Sequence, residues 1–169
     1  MNKITIIFFI IILNTSFLES QNFSVTLGFN NGITANKKLT YFTGGAGISL
    51  NYAQPINKIL IISGIEFRGI QWGFQTTLNT GIQHTLNETE KRKNLLQYSI
   101  QNGMALFYQK KLYVFAAETI YGYKFGLNRK IPVQISTGIR FTVCPVYRNY
   151  SDIYNVLEIP VQFTVFFGK

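Results

Sequence analysis

Residues 131–143 read Ile-Pro-Val-Gln-Ile-Ser-Thr-Gly-Ile-Arg-Phe-Thr-Val, and this stretch decides the fold class. Its odd positions carry Ile, Val, Phe and one Thr, whereas its even positions carry Pro, Gln, Ser, Gly, Arg and Thr. Successive side chains of a β-strand leave the backbone on opposite faces. The alternation therefore predicts a strand with one apolar face and one polar face.

The same alternation recurs along most of the chain. Four further runs show it clearly: 23–29, 42–52, 96–108 and 157–167. Two more, 59–74 and 112–125, follow it less regularly. The composition, with 47% hydrophobic, 15% aromatic and 14% charged residues among 169, is wrong for a disordered chain or a coiled coil. The sequence therefore predicts one all-β domain.

Run length separates two kinds of β protein. Strands of soluble sandwiches have about five or six residues, whereas a tilted strand needs about nine to eleven to cross a bilayer. Most runs here are longer than ten residues. A sheet that spans a membrane must close, because lipid cannot satisfy a free strand edge. We therefore predict an up-and-down antiparallel transmembrane β-barrel.

The number of strands is predicted to be eight, although only seven runs are clear. Single-chain bacterial barrels have an even number of strands. Residues 146–150 and residues 78–86 are the two candidates for the eighth strand.

The connections are predicted to alternate between tight and long. Residues 53–58 and 108–111 are expected to be tight periplasmic turns, and residues 30–41 and 75–94 to be long extracellular loops.

Charged residues are rare within the runs, and parity places each of them opposite the apolar row of its strand. A buried charge persists only when it is paired. We therefore predict that these residues form an ionic network in a lumen filled by side chains, the alternative being scattered surface charges on a soluble sheet. The predicted lumen network consists of Glu66, Arg68, Glu118, Arg140 and Glu158.

The chain begins with the features of a secretory signal. Lys3 supplies a positive charge, and the apolar run that follows has ten residues, about half of what a transmembrane helix needs. We predict a cleaved signal over residues 1–20, a barrel domain over residues 21–169 and an outer-membrane location. A buried N-terminal helix or strand is the alternative.

The chain resembles the small PorT-like outer-membrane β-barrel proteins. The resemblance lies in residues 94–100, in residues 107–113, and in Ile65-Glu66-Phe67 of the preceding run. The aromatic-ended run 163–167 is similar to the last strand that the outer-membrane assembly machinery recognises, although Gly168 and Lys169 follow it. The resemblance implies a β-barrel fold, an outer-membrane location and the outer-membrane assembly machinery as a partner. It implies no catalytic residues.

The net charge of +9 has two interpretations, binding to lipopolysaccharide phosphates or simple solvation. The expected signal and lipid-facing rows argue against nucleic-acid binding. The cations expected in extracellular loops are Lys37, Lys38, Lys91, Arg92, Lys93, Arg129 and Lys130, while Lys110 and Lys111 are placed in a periplasmic turn. Aromatic girdles are predicted from Tyr52, Trp72, Phe74, Tyr108, Tyr113 and Tyr123.

No catalysis, cofactor or metal is expected. Cys144 is the single Cys, and His84 is the single His. Lipid A esterases of this size use a His-x-Ser pair with an acid, but Leu86 stands two residues after His84, and Glu88 is the nearest acid. A solvated loop histidine is the simpler interpretation.

Four classes of function remain. The first is a structural or adhesive barrel. The second is an accessory subunit of an envelope machine, with a protein partner bound at residues 75–94. The third is a soluble, lipocalin-like barrel that binds an apolar ligand inside, and the fourth is a lipid A hydrolase.

Overall fold

The computed structural model describes residues 23–35, 40–70, 73–107, 110–143 and 155–167. The strands within these residues form one closed antiparallel barrel, which confirms the predicted fold class and the count of eight. The predicted signal, residues 1–20, lies outside the described residues. Among the described residues, no helix is long and apolar enough to cross a membrane.

Each strand pairs with its neighbours in the chain, and β1 pairs with β8 to close the sheet. The strands are β1 (Phe23–Ala35), β2 (Thr40–Ile56), β3 (Ile59–Ile70), β4 (Gly73–Thr89), β5 (Arg92–Phe107), β6 (Lys110–Phe125), β7 (Val133–Val143) and β8 (Val156–Phe167).

The eighth strand is β4, which contains the candidate residues 78–86. The other candidate, residues 146–150, lies outside the described residues. The run 59–74, predicted as one strand, is divided between β3 and the start of β4. The outward row of β4 includes Thr76, Thr80 and His84, and these polar residues weaken the alternation from which the other strands were predicted.

Two of the predicted loops are wrong. Most of residues 30–41 belongs to β1 and β2, and most of residues 75–94 belongs to β4 and β5. The last two residues of the predicted turn at 108–111, Lys110 and Lys111, belong to β6. Because β4 adds one crossing, every later connection lies at the opposite end from the one predicted.

The barrel has two ends. We call the end at which β1 begins and β8 finishes the N-terminal end. Its connections are residues 57–58, 90–91 and 126–132. Asn57 and Gly126 have φ of 57° and 71°, so tight left-handed backbone helps to turn the chain there. The opposite end, where β1 finishes and β2 begins, is the far end.

The two faces of the sheet differ in chemistry. On β7, Ile135 and Ile139 point outward and are 52% and 59% exposed, whereas Ser136 and Arg140 point into the lumen and are 3% and 1% exposed. The same division holds around the barrel, so the apolar rows form its outer surface, and the core is a mostly polar lumen that also contains a few apolar side chains such as Leu95 and Ile120.

Aromatic side chains lie near both edges of the apolar surface. Tyr52 and Tyr123 are near the N-terminal end, and Phe74 and Tyr113 are near the far end. Trp72 and Tyr108, which were predicted to join them, lie outside the described residues.

Candidate functional site

The structure brings the five residues of the lumen network together. Four strands supply them, and each residue lies on the inward row of its strand. Their exposures are all 5% or less, and none lies on the outer surface. The members are Glu66 and Arg68 on β3, Glu118 on β6, Arg140 on β7 and Glu158 on β8.

Arg140 is the centre of the network. Its Nη1 and Nη2 donate to the two carboxylate oxygens of Glu66 at 3.0 and 3.1 Å. Its Nε donates to Glu118 Oε1 at 3.1 Å, and Nη2 lies 3.0 Å from the same oxygen. The planar guanidinium thus joins two carboxylates across the barrel, a geometry that the single ammonium group of Lys does not offer.

Arg68 and Glu158 form the second ion pair. Arg68 Nη1 donates to Glu158 Oε2 at 2.7 Å, and Nη2 donates to Gln75 Oε1 at 3.0 Å. Gly47 lies beside this pair, and a Cβ there would be 3.2 Å from Arg68 Cβ. The nearest atom to that Cβ would be the Phe67 carbonyl oxygen at 2.9 Å, so a glycine here allows β3, which carries Arg68, to approach β2 closely.

Neutral donors compensate for the unequal charge of the network, which has three carboxylates and two guanidiniums. Glu118 Oε2 accepts from Ser99 and Gln101, each at 3.3 Å, and its Oε1 accepts from Gln162 at 3.3 Å. Thr142 Oγ1 donates to Glu158 at 3.4 Å. Such donors lower the cost of burying a carboxylate that shares its guanidinium with another.

Sequence reasoning did not assign these neutral partners to the network. Ser99, Gln101, Thr142 and Gln162 lie on inward rows that the alternation already marked as polar, so parity locates them in the lumen. Parity does not tell which carboxylate each one contacts, because that depends on the register between strands. Gln75 was missed because it fell in a predicted loop.

The lumen toward the N-terminal end is lined mostly by neutral side chains, with Lys124 at its mouth, and it is less completely filled. We call the side chains there, in the halves of the strands nearest that end, the neutral half. A cavity of about 50 Å³ lies among them and reaches Glu66, Glu118 and Arg140, which is room for a few water molecules. The polar members of the neutral half are Ser24, Thr26, Asn51, Gln83, Gln134 and Thr164, and the apolar residues Leu60, Ile62 and Phe166 line the same cavity.

His84 lies on β4 rather than in a loop, opposite Ile59 and Leu96. Its row is the outward one, whereas Gln83 and the rest of the inward row are buried. Glu88, the nearest acid in the sequence, forms an ion pair with Lys93. The prediction of a solvated loop histidine is therefore wrong about the loop, and among the described residues no acid forms a hydrogen bond or ion pair with this imidazole. Among the described residues, no group of three His, Cys, Asp or Glu side chains is arranged to hold a metal ion.

The expected grouping of the cations at one end needs correction. Lys91, Arg92, Lys93, Arg129 and Lys130 lie at the N-terminal end, whereas β6 begins with Lys110 and Lys111 at the far end. The extra crossing made by β4 is the reason. Lys37 and Lys38, in the segment between β1 and β2, lie outside the described residues.

The similarity to Neisserial surface protein A supports the fold. Neisserial surface protein A (NspA) superimposes with a TM-score of 0.59 at 10% identity, over 88% of this chain and 99% of that chain. Ail, the attachment invasion locus protein of Yersinia pestis, superimposes with a TM-score of 0.39 at 12% identity, over 88% of this chain and 98% of that chain. No protein-family pattern and no curated protein sequence matches the chain. The resemblance to the PorT-like proteins therefore stays a prediction, and the similarity shown is that of a small eight-stranded barrel.

Proposed function

We propose that the protein is a small outer-membrane β-barrel that crosses the bilayer and has a structural, adhesive or accessory role. The observation that carries the proposal is the division of the sheet into an outward apolar surface and an inward polar lumen. Strands of 11 to 17 residues exceed the roughly nine to eleven needed to cross a bilayer. The predicted export signal supports the outer membrane as the destination.

The filled lumen favours a role other than transport. Arg140 joins side chains from β3 and β6, and Arg68 joins β3 to β8, so side chains extend across the interior at the level of the lumen network. A barrel of eight strands leaves an interior just wide enough for its side chains. We therefore expect neither diffusion of solutes nor a stable ion current through the wild-type barrel.

Heat-modifiability on a gel tests the membrane barrel. The outer-membrane fraction of expressing cells is run boiled and unboiled. We expect an unboiled band that migrates faster, because a closed barrel resists detergent until it is heated. Recovery of the protein in the soluble periplasm without such a band would overturn the proposal.

We also propose an orientation, with the N-terminal end in the periplasm and the far end outside the cell. A cleaved signal delivers the N-terminus to the periplasm, and both β1 and β8 have their termini at that end. Single cysteines test this in a Cys144→Ser background. Lys111→Cys should react with an impermeant maleimide on intact cells, whereas Lys58→Cys should react only after permeabilisation. The reverse pattern would contradict the orientation.

A role at the cell surface or in an envelope machine is proposed for the far end. NspA is by name a surface protein, and this chain shares its fold. In the proposed orientation Lys111 is exposed on the outer side, so a cross-linker at Lys111→Cys reports contacts with an envelope partner. Lys58→Cys serves as the control at the other end. Adducts from Lys58→Cys alone would move the accessory role to the periplasmic side.

The lipocalin-like alternative requires the apolar rows to face inward. The structure places them outward, and the buried side chains of the described residues are mostly polar, with a few apolar ones such as Ile62, Leu95 and Ile120 among them. The hydrolase alternative is tested by His84→Ala, for which we expect no change in lipid A acylation. Loss of a deacylase activity in that variant would restore the alternative.

A further inference from the structure

Every connection at the N-terminal end carries an exposed cation. Lys58 lies in the turn between β2 and β3, Lys91 in the turn between β4 and β5, and Arg129 with Lys130 in the connection between β6 and β7. All three connections belong to the described residues. Because they follow one another at every second strand, the cations are distributed around the circumference of the barrel.

Hydrogen bonds hold two of these connections against each other. The amide nitrogens of Gly126 and Leu127 donate to the carbonyl oxygen of Lys91 at 3.1 and 3.5 Å, and the amide of Arg129 donates to Gly126 at 2.9 Å. The cations on the two connections therefore belong to one surface with a defined backbone, which lowers the conformational cost of binding a shared partner.

Arg92 directly borders the apolar surface. Its Nη1 donates to the hydroxyl of Tyr123 at 3.4 Å, whereas Lys124 lies at the mouth of the lumen, with Nζ 3.4 Å from the centre of the Phe166 ring. Aromatic residues on the outer surface of membrane barrels lie at the level of the lipid headgroups. Arg92 is thus placed where lipid phosphates would lie, at the same end as the three cationic connections.

The charge at this end is far from balanced. Glu88 and Glu90 are the acids among the described residues there, and Glu88 is paired with Lys93. Seven cations against two carboxylates leave a net charge of +5. The cations are Lys58, Lys91, Arg92, Lys93, Lys124, Arg129 and Lys130. Among the described residues, the far end has only two cations outside the lumen, Lys110 and Lys111.

From this arrangement we propose that the N-terminal end binds the phosphate headgroups of anionic phospholipids in the adjoining leaflet. The inference rests on the proposed membrane function. In the proposed orientation the leaflet is the periplasmic one. The cationic surface would anchor the depth of the barrel in the membrane and collect anionic lipid around its base. A Lys or Arg near an anionic bilayer surface strengthens binding about fivefold.

Native mass spectrometry of the refolded full chain in a neutral detergent tests the proposal. Phosphatidylglycerol and phosphatidylcholine with the same acyl chains are titrated separately, and bound lipids are counted. The test variant is Arg129→Gln with Lys130→Gln. The matched control is Lys110→Gln with Lys111→Gln, which removes the same charge at the far end. Each protein is first shown to give the heat-modifiable band.

We expect the wild type to prefer phosphatidylglycerol, and the variant at the N-terminal end, which lacks two cations, to lose up to about 25-fold in that preference. The control variant should stay within about twofold of the wild type, and salt at about 0.5 M should abolish the preference by screening. Equal binding of the two lipids by the wild type, or equal losses in both variants, would overturn the inference while leaving the membrane barrel intact. Failure of the wild type to form the heat-modifiable band would instead overturn the proposed function on which the inference rests.

Discussion

The lumen network and the neutral half occupy the same barrel, yet they are built differently. In the lumen network, each carboxylate accepts from an arginine at 2.7 to 3.1 Å. In the neutral half, Thr26 and Thr164 share one hydrogen bond of 2.9 Å and a cavity remains, while unpartnered buried atoms occur in both regions, Arg68 Nε in the lumen network and Gln134 Oε1 in the neutral half, among the described residues.

The difference shows what each kind of polar group demands. A buried charge without a counter-charge costs several kcal/mol, so ionic side chains are retained where strands hold partners in contact. A neutral amide or hydroxyl costs less and is satisfied by water. The lumen network should therefore dominate the stability of the interior, and the neutral half should tolerate change.

The largest effect is expected from Arg140→Ala. It leaves Glu66 and Glu118 buried without their shared guanidinium, so the free energy of unfolding should fall by about 3–5 kcal/mol. Denaturant titration of the heat-modifiable band in lipid vesicles measures this. Adding Glu66→Gln and Glu118→Gln should recover part of the loss. An unchanged transition in Arg140→Ala would show that the network does not stabilise the barrel.

The two faces of β7 give the next effect. Ile139→Arg places a charge on the outer surface at mid-strand and should cost about 2–4 kcal/mol near the middle of the bilayer, so assembly should fail. Ser136→Arg, on the inward row of the same strand, points into the polar lumen and should assemble better. The yield of the heat-modifiable band in the outer membrane measures both variants. Equal yields, or the reverse order, would show that the assignment of faces is wrong.

A smaller effect separates a buried ion pair from an exposed one. Double-mutant cycles with Gln substitutions should give a coupling of about 1–3 kcal/mol for Arg68 with Glu158. The exposed pair Lys93 with Glu88 should give about 0.2–1 kcal/mol, because water screens it. Unfolding free energies of the four variants in each cycle supply the couplings. Similar coupling energies for the two pairs would show that burial does not strengthen the ion pair.

The smallest effect is expected in the neutral half. Thr26→Val removes its hydrogen bond with Thr164 at nearly constant volume and should cost about 1 kcal/mol. The same denaturant titration measures it, with Thr164→Val as the partner variant. A loss as large as that of Arg140→Ala would mean that the neutral half is as tightly specified as the lumen network.

Alternation along the chain was enough to predict much of this protein. The predicted runs correspond largely to strands of the barrel: residues 131–143 match one strand, and five of the six similar runs each match another. The same alternation predicted that the residues of the lumen network point inward. Period two suffices because a side chain on a strand in a two-faced sheet has only two environments.

Tertiary structure decided the remaining features. β4 carries polar residues on both faces, so the sequence identifies residues 78–86 only as one of two candidates, and pairing with β3 and β5 established the strand. That one crossing moved Lys91, Arg129 and Lys130 to the N-terminal end. Arg140 binds Glu66 and Glu118, which lie 74 and 22 positions away in the sequence. The register and closure of the sheet decided which carboxylates became its partners. Such contacts join distant parts of the chain, and local periodicity carries no information about which strands become neighbours.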